Sequence, residues 1–205
     1  MDRFFRWFGL PGAVVLTFLL SAAALLRALL IPTCEHWICF AAMLFSSIGD
    51  LFLARLKRLT KRFKNFFPIG CGFFMVSHLL YAICYGTKSA KMNMPILNGG
   101  AVIALLIGLS AFAVLTFLAL SRKNTKRLSL VLIYLCVILV NCASVFSYAF
   151  SASFADSAVL AACGVLSFLL SDFIIGLGLT GKLHRFDFLI WWLYPIGQIL
   201  LIFGA

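Results

Sequence analysis

Seven stretches of this sequence are almost unbrokenly apolar, and short polar or basic segments separate them. They run over about 10–32, 36–54, 67–87, 97–120, 128–150, 157–180 and 186–204. Several exceed the ~18 apolar residues that cross a ~30 Å hydrocarbon core as a helix. The pattern predicts an all-α fold: a polytopic membrane helical bundle of about seven transmembrane helices, forming one domain over residues 1–205. Loops are short, with no soluble domain, long linker, low-complexity tail or internal repeat. The first stretch, Pro11 to Ile31, follows Asp2, Arg3 and Arg6. Its apolar run is longer than the ~7–15 residues of a signal-peptide core and no small-residue cleavage site stands out, so it reads as a retained first span.

Against this background a few polar positions stand out. Asp50 lies in the second stretch, His78 in the third and Asp172 in the sixth. An ionisable group inside a span costs at least ~2.5 kcal/mol on insertion scales, so such groups usually face a bundle interior and mark function.

Composition agrees with the pattern. The chain is 64% hydrophobic and 11% charged, with a mean hydropathy of +1.11, whereas a soluble domain is about half apolar and a quarter charged. The net charge of +11 does not indicate nucleic acid, because the basic residues sit in short clusters between spans instead of on one extended face. Those clusters read as topology signals. The amino terminus holds Arg3 and Arg6, the second loop Arg55, Lys57, Arg58, Lys61, Arg62 and Lys64, the fourth Arg122, Lys123, Lys126 and Arg127, and the sixth Lys182 and Arg185. Only Lys88 and Lys91 fall on the opposite side, and Arg27 sits one turn inside the first span, able to snorkel outward. Seven spans with a cytoplasmic amino terminus satisfy this asymmetry; six or eight scramble it. Of the seven cysteines, none forms C-x-x-C, and they read as small buried hydrophobes with no disulfide framework.

With that topology, helical rise places Asp50, Asp172 and His78 at roughly 6, 12 and 17 Å from the cytoplasmic ends of their spans. All three fall in the cytoplasmic half or near the midplane, as a single inward-opening cavity requires. Helical phase adds Ser46 beside Asp50, and Ser77 and Tyr81 beside His78. Asn141, Ser167, Ser171, Tyr194 and Gln198 are further polar groups on the fifth, sixth and seventh spans. Gly49, Gly70 and Gly72 permit close helix approach.

Two carboxylates in a low-dielectric site need not both be ionised, and a protonated acid beside a carboxylate suits general acid–base work on an acid-labile bond. Other roles stay open: Asp50 pairing with Arg55 or Lys57 at the interface, and His78, Ser77 and Tyr81 merely bonding across helices. Zinc is not expected, since catalytic zinc takes three protein ligands and His36 and His184 lie too far from His78 to meet it. No G-x-S-x-G, H-E-x-x-H or G-x-x-x-x-G-K motif occurs.

The blocks Ser47-Ile-Gly-Asp-Leu, Gly72-Phe-Phe-Met-Val-Ser-His-Leu-Leu-Tyr, Phe168-Leu-Leu-Ser-Asp and Gly197-Gln-Ile-Leu, in this order on apolar segments, resemble the lysoplasmalogenase family of multi-pass membrane hydrolases. The similarity runs from about residue 36 onward. It implies hydrolysis of the vinyl ether bond of lysoplasmalogens to a fatty aldehyde and glycerophosphoethanolamine or glycerophosphocholine. It further implies Asp50 and Asp172 as the catalytic pair. The polar positions read above, Ser46, Ser77, His78, Tyr81, Asn141, Ser171, Tyr194 and Gln198, are the candidates for orienting substrate or water. Asp172, the deeper aspartate, is expected to be the acid. Family members are commonly drawn with eight spans, so the shortfall here lies before residue 36. A lysophospholipid substrate and membrane lipids are the expected partners, with no cofactor and no metal. The competing reading is a proton-coupled transporter or flippase of an amphipathic lipid-like substrate. Short loops and compact size point to a bacterial cytoplasmic membrane, with the endoplasmic reticulum membrane as the alternative.

Overall fold

The structure, a computed structural model, describes residues 10–53, 66–92, 95, 98–121, 128–181 and 185–205. Seven helices occur among them: α1 (Leu10–Leu30), α2 (Cys34–Leu53), α3 (Phe66–Lys91), α4 (Gly99–Ser121), α5 (Leu128–Ser151), α6 (Asp156–Gly181) and α7 (Asp187–Gly204). Five of them, α2 to α6, are long and apolar enough to cross a membrane, while α1 and α7 contribute shorter apolar helices, Val14–Leu30 and Phe188–Gly204. Among the described residues the fold is all-helical, and these apolar helices make the chain a multi-pass membrane protein. Most of the basic clusters used for the orientation argument (Arg3, Arg6, Arg55 to Lys64, Arg122 to Arg127, and Lys182) lie outside the described residues, as does His184.

Side chains sort as they do when lipid is the solvent. Leu29 and Leu30 on α1, Leu106 and Phe117 on α4 and Trp192 on α7 face outward. The interior instead gathers serines, Asn141, Gln198 and His78, all fully buried or nearly so. With no water in the hydrocarbon region, polar side chains must find partners inside the bundle. Ser21 and Ser47 do so across α1 and α2 at 2.8 Å, and Ser47 also donates to Thr17 O at 2.9 Å. Of the cysteines, Cys39, Cys84 and Cys142 are buried as expected; Cys34, Cys136 and Cys163 are exposed, and none of the seven is in a disulfide.

Small residues bring the backbones together. A Cβ at Gly49 of α2 would stand 2.8 Å from the Phe74 ring and 3.2 Å from Gly70 O of α3. A Cβ at Gly164 of α6 would meet Leu201 N at 2.9 Å and Gly197 O of α7 at 3.0 Å. Gly72 is different: a Cβ there meets nothing within 4 Å. It lies two residues past Gly70, about 200° around the helix, so the close approach expected of it belongs to Gly49 and Gly70 alone.

Hydrogen bonds show which helix ends lie together. Arg27, near the end of α1, donates from Nε to His36 Nε2 of α2 at 3.2 Å and from Nη1 to Phe203 O of α7 at 3.3 Å. Lys88 of α3 donates to Gly204 O at 2.9 Å, and Tyr85 to Leu201 O at 2.6 Å. Lys91 forms an ion pair with Glu35. Asn98 caps α4 through Gly100 N and Ala101 N and reaches Ser147 O of α5 at 2.9 Å. Tyr148 and Ser157 join α5 to α6 at 3.1 Å. These contacts gather the carboxyl ends of α1, α3, α5 and α7 with the amino ends of α2, α4 and α6. The other ends, where the basic segments attach, therefore form the opposite face of the bundle.

Gly164→Ala places a methyl against backbone atoms that cannot yield. It should lower stability by about 1–3 kcal/mol, read as a fall in melting temperature in detergent, whereas Gly72→Ala should melt at or above the wild-type temperature.

Candidate active site

At the end of the bundle that carries the basic segments, a cavity of about 240 Å³ opens between α1, α2, α3, α5, α6 and α7. Its wall is mainly apolar, built from residues such as Leu53, Phe67, Phe74, Val131, Ile175 and Trp191. Into it reach two carboxylates, Asp50 from near the end of α2 and Asp172 from α6. Few polar atoms compete for them in this setting, and a low local dielectric strengthens each hydrogen bond that is made.

Asp172 sits in the more elaborate of two polar arms. The Tyr134 hydroxyl donates to Asp172 Oδ2 at 3.0 Å. His78 Nε2 lies 3.6 Å from the same oxygen and 3.5 Å from the Tyr134 hydroxyl. On the far side of the ring, Asn141 Nδ2 is 3.1 Å from His78 Nδ1. With the amide donating, Nδ1 accepts, which puts the ring proton on Nε2 facing the carboxylate and phenol. Edge-on packing against Phe168 at 4.5 Å and Tyr134 at 5.9 Å holds the fully buried imidazole in place.

Asp50 has the second arm, which the Thr17 side chain of α1 also reaches. Tyr194 of α7 donates to Asp50 Oδ2 at 2.8 Å. The Tyr194 ring is wedged edge-to-face between Phe74 at 6.0 Å and Phe168 at 5.2 Å, so Phe168 touches the key ring of both arms. Pro195 follows inside α7 and removes the backbone N–H that the Trp191 carbonyl would otherwise accept one turn earlier. That carbonyl belongs to a cavity-wall residue.

Behind the cavity lies a polar network. Tyr81 donates to Gln198 Oε1 at 2.9 Å, Gln198 Nε2 donates to Ser46 Oγ at 3.1 Å, and Ser46 and Ser77 share a bond of 2.8 Å. All four residues are fully buried and absent from the cavity wall. Of the residues expected to orient substrate or water, Tyr194 and Ser171 line the cavity, and His78 and Asn141 stand one step behind Asp172. Ser46, Ser77, Tyr81 and Gln198 bond among themselves behind the wall, and Gln198 also reaches the Tyr194 hydroxyl that serves Asp50. Ser171 Oγ is buried without a hydrogen-bond partner in the protein, as is Asn141 Oδ1. Tyr134 was not among the expected residues. A tyrosine within Val-Leu-Ile-Tyr-Leu-Cys reads as core; the available signal was its position two turns before Asn141, on the same helix face. Among the described residues, no three His, Cys, Asp or Glu side chains gather as metal ligands.

Fold and site together define a class: a helical multi-pass membrane protein whose bundle encloses an apolar cavity served by two aspartates. Residues 6–205 match the YhhN family, and the chain belongs to it. The family includes known lysoplasmalogenases, and membership implies lysoplasmalogenase-like activity. The match begins at residue 6, so α1 lies within it and the resemblance is not confined to the chain after residue 36. No curated protein and no solved structure matches the chain.

Gln198→Leu leaves the buried Tyr81 hydroxyl without its acceptor. Stability should fall by about 1–3 kcal/mol, seen as a lower melting temperature, and Tyr81→Phe added to Gln198→Leu should recover part of the loss.

Proposed function

We propose that this protein hydrolyses the vinyl ether bond of lysoplasmalogens, releasing a fatty aldehyde and glycerophosphoethanolamine or glycerophosphocholine, with Asp50 and Asp172 as its acid–base pair. The observation that carries this reading is the convergence of both aspartates on one small, mainly apolar cavity. Family membership supplies the substrate class.

The chemistry asks little more than such a site holds. One aspartate, protonated at the start, gives its proton to the β-carbon of the vinyl ether, leaving an oxocarbenium ion at the carbon bonded to oxygen. The second, ionised, stabilises that cation and takes a proton from the water that adds there, a division of labour like that of paired carboxylates in glycosidases. In the resulting hemiacetal the carbon–oxygen bond to glycerol breaks. The hemiacetal hydroxyl gives up its proton and the glycerol oxygen gains one, so aldehyde and alcohol leave and both aspartates return to their starting states. Ser171, buried beside Asp172 with an unpartnered hydroxyl, is suited to hold the water. The apolar wall takes the hydrocarbon flanking the bond. In the topology with a cytoplasmic amino terminus the cavity opens inward, where the basic segments attract a phosphate headgroup. A bacterial cytoplasmic membrane is the setting we favour.

Purified protein in detergent should release aldehyde from a lysoplasmalogen and none from its saturated alkyl-ether analogue, which has no double bond to protonate. Asp50→Asn and Asp172→Asn should each lower the rate at least ~100-fold at normal expression; full activity in both would refute the assignment.

A further inference from the structure

The two aspartates are not held as a mutually bonded dyad. Each gives its Oδ2 to a phenol from a different helix: Tyr194 of α7 to Asp50 at 2.8 Å, and Tyr134 of α5 to Asp172 at 3.0 Å. Neither phenol is free to serve the other carboxylate without breaking its ring packing. Tyr194 is wedged between Phe74 and Phe168, and Tyr134 stands edge-on to His78. Only the Asp172 side has an imidazole behind it, oriented in turn by Asn141.

We propose that Tyr134 is a positioning residue for Asp172, matched to Tyr194 on Asp50, so that the site works as two separately tuned Tyr–Asp units instead of two carboxyls sharing one proton. This rests on the reading of the cavity as a vinyl-ether hydrolase site. Tyr134 turns Asp172 so that one oxygen is occupied by donors and the other is left for substrate or water. Asn141 reinforces this by keeping the His78 proton on Nε2, directed at the same occupied oxygen. The two phenols, from α5 and α7, thus aim two carboxylates into one cavity. Phe168, in contact with both His78 and Tyr194, sets the spacing between the units.

The test compares Tyr134→Phe, Tyr194→Phe and Tyr148→Phe, the last removing a hydroxyl at the opposite end of the bundle. On a lysoplasmalogen in detergent, the first two should each lower kcat about ten- to a hundredfold with KM within twofold, while Tyr148→Phe leaves both unchanged. Each of the first two should displace a different limb of the bell-shaped pH dependence of kcat. Displacement of the same limb by both, or of neither, overturns the proposal, as does a loss confined to KM. Infrared difference spectra of the carboxyl band during a pH titration give a readout without turnover. Tyr134→Phe and Tyr194→Phe should alter separate carboxyl titrations, and changes in one common band overturn the pairing. If the wild type releases no aldehyde yet the two titrations respond separately, the hydrolase reading fails and the two-unit arrangement stands.

Discussion

A carboxyl group carried into a bilayer loses its water and has to be met by donors from the protein, or it is too costly to keep there. That requirement shapes this bundle more than any apolar contact does, because apolar side chains are equally at home in lipid. Asp50 and Asp172 are met by phenols, and the phenols are held by aromatic rings. Those rings need helices that approach closely: α2 and α3 at Gly49 and Gly70, α6 and α7 at Gly164 and Gly197. The aspartates, tyrosines, Phe74, Phe168 and glycines thus form one chain of dependence from charge to backbone spacing.

Within that chain the two acidic residues receive unequal treatment. Asp172 faces a tyrosine and a histidine whose far nitrogen is itself occupied, while Asp50 faces a tyrosine and the Thr17 side chain, with no imidazole. Unequal surroundings are what separates an acid from a base when both are the same amino acid. The structure supplies the two environments, and kinetics in the phenol variants would sort them.

Much of this could be read from the chain alone, and the exceptions have physical causes. Lengths of apolar sequence located all seven helices, since hydrophobicity is the property the bilayer selects. The third stretch was drawn to end at about residue 87, yet α3 continues to Lys91, because Lys88 and Lys91 are engaged by the end of α7 and by Glu35 instead of turning the chain into solvent. The convergence of Asp50, His78 and Asp172 followed from topology and rise per residue. What those arguments lack is helix rotation relative to neighbours. They therefore group Ser46, Ser77, Tyr81 and Gln198 directly with the aspartates, although these lie behind the cavity wall and connect to Asp50 through Gln198 and Tyr194, and they pass over Tyr134, whose hydroxyl matters only once α5 is seen to turn toward α6. Gly72 failed for the same reason: its spacing was suitable but its direction was not.

The opposite end of the bundle has its own consequence. There, Arg27, Lys88 and Tyr85 clasp the last turn of α7, and Glu35 and Lys91 tie α2 to α3. Around the cavity, by contrast, the wall is mainly apolar, and among the described residues its directional contacts are chiefly those of the two aspartate arms. Fluctuations of such a body concentrate where directional bonds are sparse. The clasped end is accordingly the anchored one, and any parting of helices to admit a lipid tail falls to the cavity end.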